Sequence, residues 1–229
     1  MGTPILGISS MATRQLLADL IHIHHQQTGV EVDFESVGGV DAAKRVQAGE
    51  AFDVVALASD AIDRLVAAGS VVAGSRTDLV RSVVSVAVRA GALRPDISSE
   101  AALRAAVLSA RSVGYSTGPS GVALAALFER WGIAEEVRPR IVLASPGVPV
   151  GRLVAEGEVE LGFQQYSELM HLPGIDILGA MPARCEIVTT FSAALCSVSS
   201  RPEAVRSLLA FLSSPAAADA KRRNGMDPV

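Results

Sequence analysis

The fold class follows from one stretch of the chain, VEVDFESVGGVDAAKRVQAGEAFDVVALAS, at residues 30–59. Its first part, VEVDFES, alternates apolar and polar residues, as a strand with one buried face does. The middle part, GVDAAKRVQAGE, predicts a helix that ends near Gly49. The last part, FDVVALAS, is a continuous apolar run, which is typical of a buried parallel strand. The short connections predict a parallel sheet with helices packed on it.

The same alternation of strands and helices extends in both directions from this stretch. An apolar strand precedes a helix that closes at Gly29, and Asp60 is predicted to cap the helix that follows residue 59. The fold class is therefore predicted to be α/β. Further along the chain, the pattern predicts strands at residues 82–91, 112–115 and 159–165. It also predicts one helix that begins at Ser98 or Ser99 and a second helix at residues 120–131.

Two long apolar strands, predicted at residues 80–88 and 186–197, divide this pattern. We predict that residues 1–81 and 190–229 form lobe 1 and that residues 82–189 form lobe 2. Each lobe is expected to be Rossmann-like with a mixed sheet, and the two long strands are expected to cross between the lobes as a hinge. A ligand would then bind in the interlobe cleft.

Composition excludes several function classes. The 229 residues carry a net charge of −4, and the 20 basic residues are scattered, so no nucleic-acid partner is expected. No apolar stretch approaches the ~18 residues that span a bilayer, so no membrane insertion is expected. Cys185 and Cys196 are expected to be reduced thiols. The N-terminus lacks a signal-peptide pattern, which predicts a cytoplasmic protein, or a periplasmic one if a leader has been removed.

Small polar residues follow nearly every predicted strand. In open α/β sheets, ligands bind beyond the carboxyl ends of the strands, where helix N-termini offer unpaired N–H donors and partial positive charge. These loops therefore predict a binding site for a small anion, although the same residues also serve as helix caps and turn formers. The predicted ligand-binding residues are Ser9, Ser10, Met11, Ser36, Gly38 and Ser59 in lobe 1, and Ser116, Thr117, Ser120, Gly121, Val148 and Val150 (around the loop SPGVP), Gln164 and Gln165 in lobe 2.

Three further side chains are candidates for chemistry. Arg81 could bind a carboxylate in bidentate fashion, or it could form a salt bridge with Asp78. Glu35 could be a general base whose pKa is raised by partial burial, or it could be a solvated acid at a strand end. Tyr115 could bind the ligand or move a proton, or it could be a core tyrosine. Adjacent strand residues point to opposite faces, so Gln164 and Gln165 cannot both face the ligand easily.

Other chemistries have weak signals. His22, His24 and His25 lie on one helix, but no carboxylate or cysteine joins them locally, so no metal site is predicted. The sequence SVGGVD lacks the spacing of a dinucleotide-binding loop, and no cofactor is predicted. GPSGV matches a nucleophile elbow only in part, and no histidine partner for Ser120 is evident.

Two segments resemble type II periplasmic binding proteins. These segments are the tail FLSSPAAADAKRRNGMDPV at residues 211–229 and VPVGRLVAEGEVELGFQQYSEL at residues 148–169. The stretch at residues 34–59 is similar to the molybdate-binding branch of that family. GYSTGPSG followed by LFERWGI resembles a sub-branch that includes aconitate isomerase. The resemblance implies two α/β lobes joined by hinge strands, and it covers most of the chain.

The chain departs from the molybdate-binding pattern at three positions. Gln165 stands where that branch typically has a tyrosine, Glu35 leads a loop that is otherwise rich in hydroxyls and alanine, and Arg81 replaces a neutral polar residue. A tetrahedral dianion prefers neutral donors, whereas a carboxylate substrate is well matched to an arginine. These departures slightly favour a carboxylate ligand over an oxyanion.

The resemblance implies two possible functions, and both remain open. The first is isomerisation of a small unsaturated tricarboxylate, aconitate, by an allylic proton shift. Arg81 and the nest of Ser116, Thr117, Ser120 and Gly121 would bind carboxylates, and Glu35 or Tyr115 would carry the proton. The alternative is a solute-binding protein that delivers molybdate or a similar oxyanion to the membrane subunits of an ABC importer.

Overall fold

The structure is a computed structural model in which residues 3–145 and 147–229 are described. The strands are β1 (Ile5–Ser10), β2 (Val32–Val37), β3 (Val54–Ala58), β4 (Thr77–Arg89), β5 (Val113–Ser116), β6 (Ile141–Ala144), β7 (Leu161–Gln165), β8 (Ile175–Ala180), β9 (Val188–Leu195) and β10 (Asp227–Pro228). The α-helices are α1 (Arg14–Thr28), α2 (Gly39–Gln47), α3 (Ser59–Ala67), α4 (Glu100–Ser109), α5 (Pro119–Arg130), α6 (Ala134–Val137), α7 (Val150–Glu156), α8 (Tyr166–Leu169), α9 (Pro202–Ser213) and α10 (Ala218–Arg223).

The chain divides into two compact units, and each is described by itself. Unit 1 comprises Met1–Arg81 and Thr190–Val229, and unit 2 comprises Ser82–Thr189. Within the described residues, no helix has both the length and the apolar character needed to cross a membrane.

Unit 1 is built on a mixed sheet. Strands β2, β1 and β3 are adjacent and parallel, β9 runs antiparallel to β3, and β10 pairs antiparallel with the start of β4. Alternate residues of β3 enter different cores: Val54 and Ala56 pack with α1 and α9, whereas Val55 and Leu57 pack with α2 and α3. Both faces of the sheet are thus covered by helices, which explains why β3 is apolar along its whole length.

Unit 2 repeats this plan with different neighbours. Strand β5 lies between β6 and β7 and is parallel to both, while β7 and β8 each pair antiparallel with the later part of β4. Helices α4 and α5 bury Leu103, Leu124 and Phe128 in one core. Helix α7 buries Val150 and Val154 in a second, smaller core. The carboxyl ends of β5 and β7 therefore meet at one edge of this sheet.

The predicted α/β class is confirmed, and local differences have simple causes. Asp60 does not cap α3: the N-cap residue is Ala58, and Asp60 lies in the first turn, where it pairs with Arg64 at 2.8 Å. The predicted cap of α4 is present, since Ser99 Oγ accepts a hydrogen bond from the amide of Ala102 at 3.2 Å. Cys185 and Cys196 are buried free thiols.

Candidate functional site

The first candidate surface is the unit 1 edge, which we define as Ser9, Ser10, Ser36, Gly38 and Ser59 at the carboxyl ends of β1, β2 and β3. Ser9 is opposite Ser36 in the parallel register, and their hydroxyl oxygens are 2.8 Å apart. Ser9 Oγ also donates to the carbonyl of Ser10 at 3.3 Å. The structure therefore brings the first three predicted serines together, but the hydroxyls of Ser9 and Ser36 bond to each other, and that of Ser10 lies 3.5 Å from the Thr13 hydroxyl.

Helix starts complete this edge. Met11 begins a short 3-10 helix, Met11–Thr13, and Gly38 is the N-cap of α2. Ser10 lies beside the start of α2, because a Cβ built on Gly39 would be 3.6 Å from the Ser10 Cβ. The edge thus offers backbone N–H donors from the first turn of α2, together with the carboxylate of Asp41 in that same turn.

Ser59 has its hydroxyl committed to a network inside unit 1. Ser59 Oγ donates to the carbonyl of Thr190 at 3.0 Å and lies 2.5 Å from the hydroxyl of Ser192. Ser192 in turn donates to Asp78 Oδ1 at 2.6 Å. The hydrogen bond from Ser192, followed by that from Arg76, lowers the pKa of Asp78. Ser59 can therefore offer a ligand its backbone N–H more readily than its hydroxyl.

Arg81 is exposed on β4, directly opposite Asp227 of β10. Asp78, the alternative partner considered from the sequence, is bound instead by Arg76 at 2.9 Å. Within residues 3–145 and 147–229, Arg81 forms no ion pair. Its guanidinium group is thus available to a carboxylate.

Glu35 matches the second of the two interpretations left open by the sequence, a solvated acid at a strand end. Its side chain is 51% exposed and accepts two hydrogen bonds from Arg45, at 2.5 and 3.0 Å. These bonds from Arg45 lower the pKa of Glu35. Glu35 is therefore held as an ionised carboxylate against a cation, which is unfavourable for a group that must accept and release a proton near neutral pH.

The second candidate surface is the unit 2 edge, which we define as Tyr115, Ser116, Thr117, Ser120, Gly121, Gln164 and Gln165. Strand β5 ends at Ser116, Gly118 caps α5, and Pro119 occupies the first turn, where its missing N–H costs nothing. A Cβ on Gly121 would lie 1.7 Å from the carbonyl oxygen of Ser116. Only glycine allows α5 to begin so close to the end of β5.

The polar groups of this edge differ from those of unit 1. In the part of the chain that the structure describes, the hydroxyls of Ser116, Thr117 and Ser120 have no hydrogen-bond partner in the protein. The N–H groups of Ser120 and Gly121 lie in the first turn of α5, where no helical carbonyl can accept from them. The unit 2 edge therefore has several donors that remain available to an anion.

Tyr115 is partly buried and stands edge-on to Phe128, with ring centroids 6.2 Å apart. Burial raises the pKa of its hydroxyl above the ordinary value of 10.0. The tyrosine is therefore protonated at neutral pH. It is suited to donate a hydrogen bond or a proton and unsuited to act as a base.

Gln165 has a buried side chain that is only half satisfied. Its Nε2 donates to Thr189 Oγ1 at 2.8 Å, while its Oε1 is buried without a partner among the described residues. Since the Thr189 hydroxyl can either accept or donate, the amide can also turn over and leave the Nε2 group unpaired instead. In both orientations Gln165 has one polar atom left for a ligand, and an unpaired buried polar atom is costly without one.

Gln164 points to the other face and links two elements. Its Oε1 accepts from the amide of Gly151 at the start of α7 at 3.1 Å, and its Nε2 donates to Glu168 Oε1 in α8 at 2.9 Å. Gln164 is therefore a bridge within unit 2 and not a free ligand group. Nearby, the amide of Val148 donates to the carbonyl of Ser145 at 3.0 Å, and Val150 is fully buried. Pro146 of the predicted SPGVP loop lies outside the described residues.

Glu168 was missed by the sequence reasoning. Burial raises the pKa of its carboxyl from 4.5 to about 7, and the hydrogen bond from Gln164 lowers it by a smaller amount. A carboxyl with a pKa near 7 can both accept and release a proton at neutral pH. One signal was available: Glu168 is the only charged residue in the stretch LGFQQYSELM, at a strand–helix junction of residues 161–170.

A separate cavity of about 300 Å³ lies along one face of α5 in unit 2. The described residues that line it include two arginines and one glutamate, and Arg130 lies 3.5 Å from Glu100. Burial raises the pKa of the Cys185 thiol. No predicted site residue is among the described residues that line it. The lining residues are Ala123, Leu127, Arg130, Arg184, Cys185, Glu186, Ile187 and Val188.

Comparison with known proteins identifies the family. Residues 5–227 match the family described as bacterial extracellular solute-binding protein. The chain belongs to this family. It is 38% identical over 242 residues to an aconitate isomerase from a Pseudomonas species, with 99% of this chain and 92% of the relative covered. The predicted resemblance to the branch that includes aconitate isomerase is confirmed.

Solved structures agree on the fold. The periplasmic molybdate-binding protein of Azotobacter vinelandii superimposes with a TM-score of 0.80 at 19% identity, covering 97% of this chain and 98% of the other. The sulfate-binding protein of Mycobacterium tuberculosis gives 0.79 at 17% identity, covering 100% and 88%. At such low identity these matches confirm the type II periplasmic binding fold alone.

Proposed function

We propose that this chain is an isomerase that interconverts cis- and trans-aconitate by an allylic proton shift. The observation that carries the proposal is the 38% identity to an aconitate isomerase over 99% of the chain. The matched 99% of the chain spans both candidate edges and the segment from β5 to α8, where the available donors and the carboxyl with a pKa of about 7 occur.

Substrate binding is proposed to use uncharged donors and one arginine. The hydroxyls of Ser116, Thr117 and Ser120 and the N–H groups at the start of α5 suit a carboxylate, because a helix N-terminus stabilises negative charge. Arg81 suits a second carboxylate through its planar guanidinium group. The start of α2, with Ser9, Ser10, Met11, Ser36 and Gly38 around it, and the start of α3 at Ser59 are further proposed anion-binding positions.

The reaction moves one proton and one double bond. A base takes a proton from the methylene carbon of aconitate, and the electron pair of that C–H bond becomes part of an allyl anion that extends into the neighbouring alkene and carboxylate. A proton then returns to the former vinylic carbon, so no oxidation or reduction occurs. Donors at the carboxylate stabilise the charge that develops on it. Tyr115, which is protonated at neutral pH, is proposed to donate a hydrogen bond or a proton in this step.

The test is direct. Purified protein is mixed with trans-aconitate, and cis-aconitate is followed by chromatography, with the reverse reaction run in parallel. We expect the same equilibrium mixture to form from both sides. If neither isomer is converted by protein that binds aconitate in calorimetry, the isomerase proposal is wrong.

A second candidate function is solute binding for an importer. It is favoured by the neutral hydroxyl and N–H donors of the unit 2 edge, which also suit a tetrahedral oxyanion such as molybdate. The protein would then act outside the cytoplasmic membrane, in line with the family description, and would dock on the membrane subunits of an ABC importer. Tight molybdate binding without any isomerisation would select this function.

A further inference from the structure

The junction between β7 and α8 contains a candidate for the group that carries the proton. Gln164 is 3% exposed and lies on β7, with Ser85 of β4 opposite it in the register. Its amide is held at one end by the N–H of Gly151 and at the other end by the carboxyl of Glu168. A buried amide with both ends bonded is fixed in position, so it fixes one carboxyl oxygen of Glu168 as well.

The other carboxyl oxygen of Glu168 accepts no hydrogen bond from the residues that the structure describes. Among residues 3–145 and 147–229, Glu168 Oε2 has no hydrogen bond and Glu168 forms no ion pair. The charged residues of the neighbouring helix α7, Arg152 and Glu156, pair with each other at 2.8 Å. The remaining titratable groups of the segment are Tyr166 and His171. Glu168 is thus oriented by an amide, and none of the described residues is a cation that holds it ionised.

The position of the junction adds a second argument. Strands β5 and β7 are parallel neighbours, with Gly114 opposite Gly162 in the register, so α5 and α8 both begin at the same edge of the unit 2 sheet. The start of α5 carries the unpaired hydroxyls and N–H groups proposed to bind a carboxylate. A proton-carrying group at the start of α8 belongs to the same edge as those anion-binding groups.

We propose that Glu168 is the catalytic base and acid of the allylic proton shift, and that Gln164 is its positioning residue. This inference rests on the proposed isomerase function. The substrate class is a small carboxylate with an acidic methylene group next to an alkene. Burial, which raises the pKa of Glu168 to about 7, places the group where it can work in both directions.

The step balances with Glu168 alone as the carrier. The unbonded oxygen, Oε2, takes the methylene proton, and the electrons of the broken C–H bond form the new C=C bond. The electrons of the old C=C bond then take the proton from the Glu168 carboxylic acid at the former vinylic carbon. The carboxylate is regenerated, and no other reactant is needed. Gln164 keeps its bond to Oε1 throughout, so that the moving proton stays on Oε2.

The experiment compares Glu168→Gln with Glu129→Gln, which makes the same chemical change at an exposed glutamate of α5. We expect Glu168→Gln to lower kcat by about 1000-fold, within the range of general acid–base catalysis, while calorimetric binding of trans-aconitate changes little. Glu129→Gln should match the wild type. Glu168→Asp should recover part of the lost rate, because it keeps a carboxyl group.

The outcomes separate the two proposals. If wild-type protein does not isomerise aconitate, the proposed function fails. If wild-type protein isomerises aconitate and Glu168→Gln keeps more than about a tenth of kcat, the Glu168 assignment alone is wrong. If Glu168→Gln does not fold, the wild-type pH–rate profile decides: a limb of kcat with a midpoint near 7 is expected, and a flat profile across that range would overturn the assignment.

Discussion

Glu35 in unit 1 and Glu168 in unit 2 each lie near the carboxyl end of a parallel strand, but their surroundings differ. Two hydrogen bonds from Arg45 hold Glu35, whose pKa is lowered, and its side chain is half exposed. Glu168 has an amide partner and, within the described part of the chain, no cationic partner, and burial raises its pKa to about 7. The surroundings of a glutamate therefore decide whether it is suited to carry a proton, and a position near the end of a parallel strand does not decide it alone.

The hydroxyls of the two edges show the same contrast. In unit 1, Ser9 and Ser36 bond to each other, and Ser59 bonds to Ser192. In unit 2, the described residues provide no partner for the hydroxyls of Ser116 and Thr117. The hydroxyls of Ser9, Ser36 and Ser59 are thus satisfied within unit 1, whereas the hydroxyls of the unit 2 edge remain available to a ligand. The proposed chemistry is therefore assigned to unit 2.

The largest expected effect on stability is a difference between the start of α5 in unit 2 and the start of α2 in unit 1. Gly121→Ala would force a methyl group to within 1.7 Å of the Ser116 carbonyl oxygen, so α5 must move. We expect a loss of about 3 kcal/mol in unfolding free energy and a large loss of aconitate binding. Gly39→Ala is the matched change in unit 1, where the new methyl group would meet Ser10 at 3.6 Å, an ordinary contact. Urea unfolding and calorimetry test the pair, and equal costs would show that the two starts do not differ.

A second prediction concerns stability against pH. The folded pKa of Glu168, about 7, lies above the unfolded value of 4.5, so wild-type protein loses stability as pH rises through this window. Glu168→Gln removes that loss and should raise the unfolding free energy at pH 8 by up to about 3 kcal/mol relative to wild type. Little of this gain should remain at pH 4. Thermal unfolding at both pH values measures it, and a gain that is independent of pH would contradict the raised pKa.

A smaller effect is expected at Gln164. Gln164→Met removes the hydrogen bond to Glu168, which favours the ionised form, so the pKa of Glu168 should rise and the kcat limb should move to higher pH. We also expect a loss of about 1–2 kcal/mol in stability from the broken bridge to Gly151. Gln165→Met is the control, because it leaves the bridge intact. It should weaken aconitate binding but leave the midpoint of the kcat limb unchanged. A midpoint that shifts equally in both variants would mean that Gln164 is not the residue that positions Glu168.

The smallest effect is expected at Glu35. Because Glu35 is held ionised by Arg45 at the surface, Glu35→Gln should change kcat by less than about twofold. The kcat–pH profile of the Glu35→Gln variant should show the same limb as the wild-type profile. A loss of kcat as large as that expected for Glu168→Gln would mean that Glu35 also takes part in the reaction, contrary to what its surroundings indicate.

The fold was accessible from the sequence because it depends on local patterns. The alternation in VEVDFES and the apolar run FDVVALAS each mark one strand, and their order predicts parallel pairing. The structure confirms these strands as β2 and β3, with β1 between them. The error at Asp60 is a shift of two residues in a helix cap, from Asp60 to Ala58.

The site was less accessible because it depends on distances between residues far apart in the chain. The sequence indicated which loops contain donors, but nothing in it shows that Ser59 bonds to Ser192, a residue in a distant strand. Similarly, the sequence around Glu35 and Glu168 does not state which of the two has a cation within reach. A pKa is set by those tertiary contacts, so the two glutamates could be ranked only with the structure.

The most direct test of the account is to follow a carbon label through the reaction. Trans-aconitate that carries carbon-13 at its vinylic carbon is incubated with the protein, and the cis product is examined by carbon NMR. An allylic proton shift converts the labelled carbon to a methylene group, so we predict that the label in the product moves to a methylene signal. A label that remains vinylic would mean rotation about the double bond without proton transfer, and it would contradict the proposed chemistry.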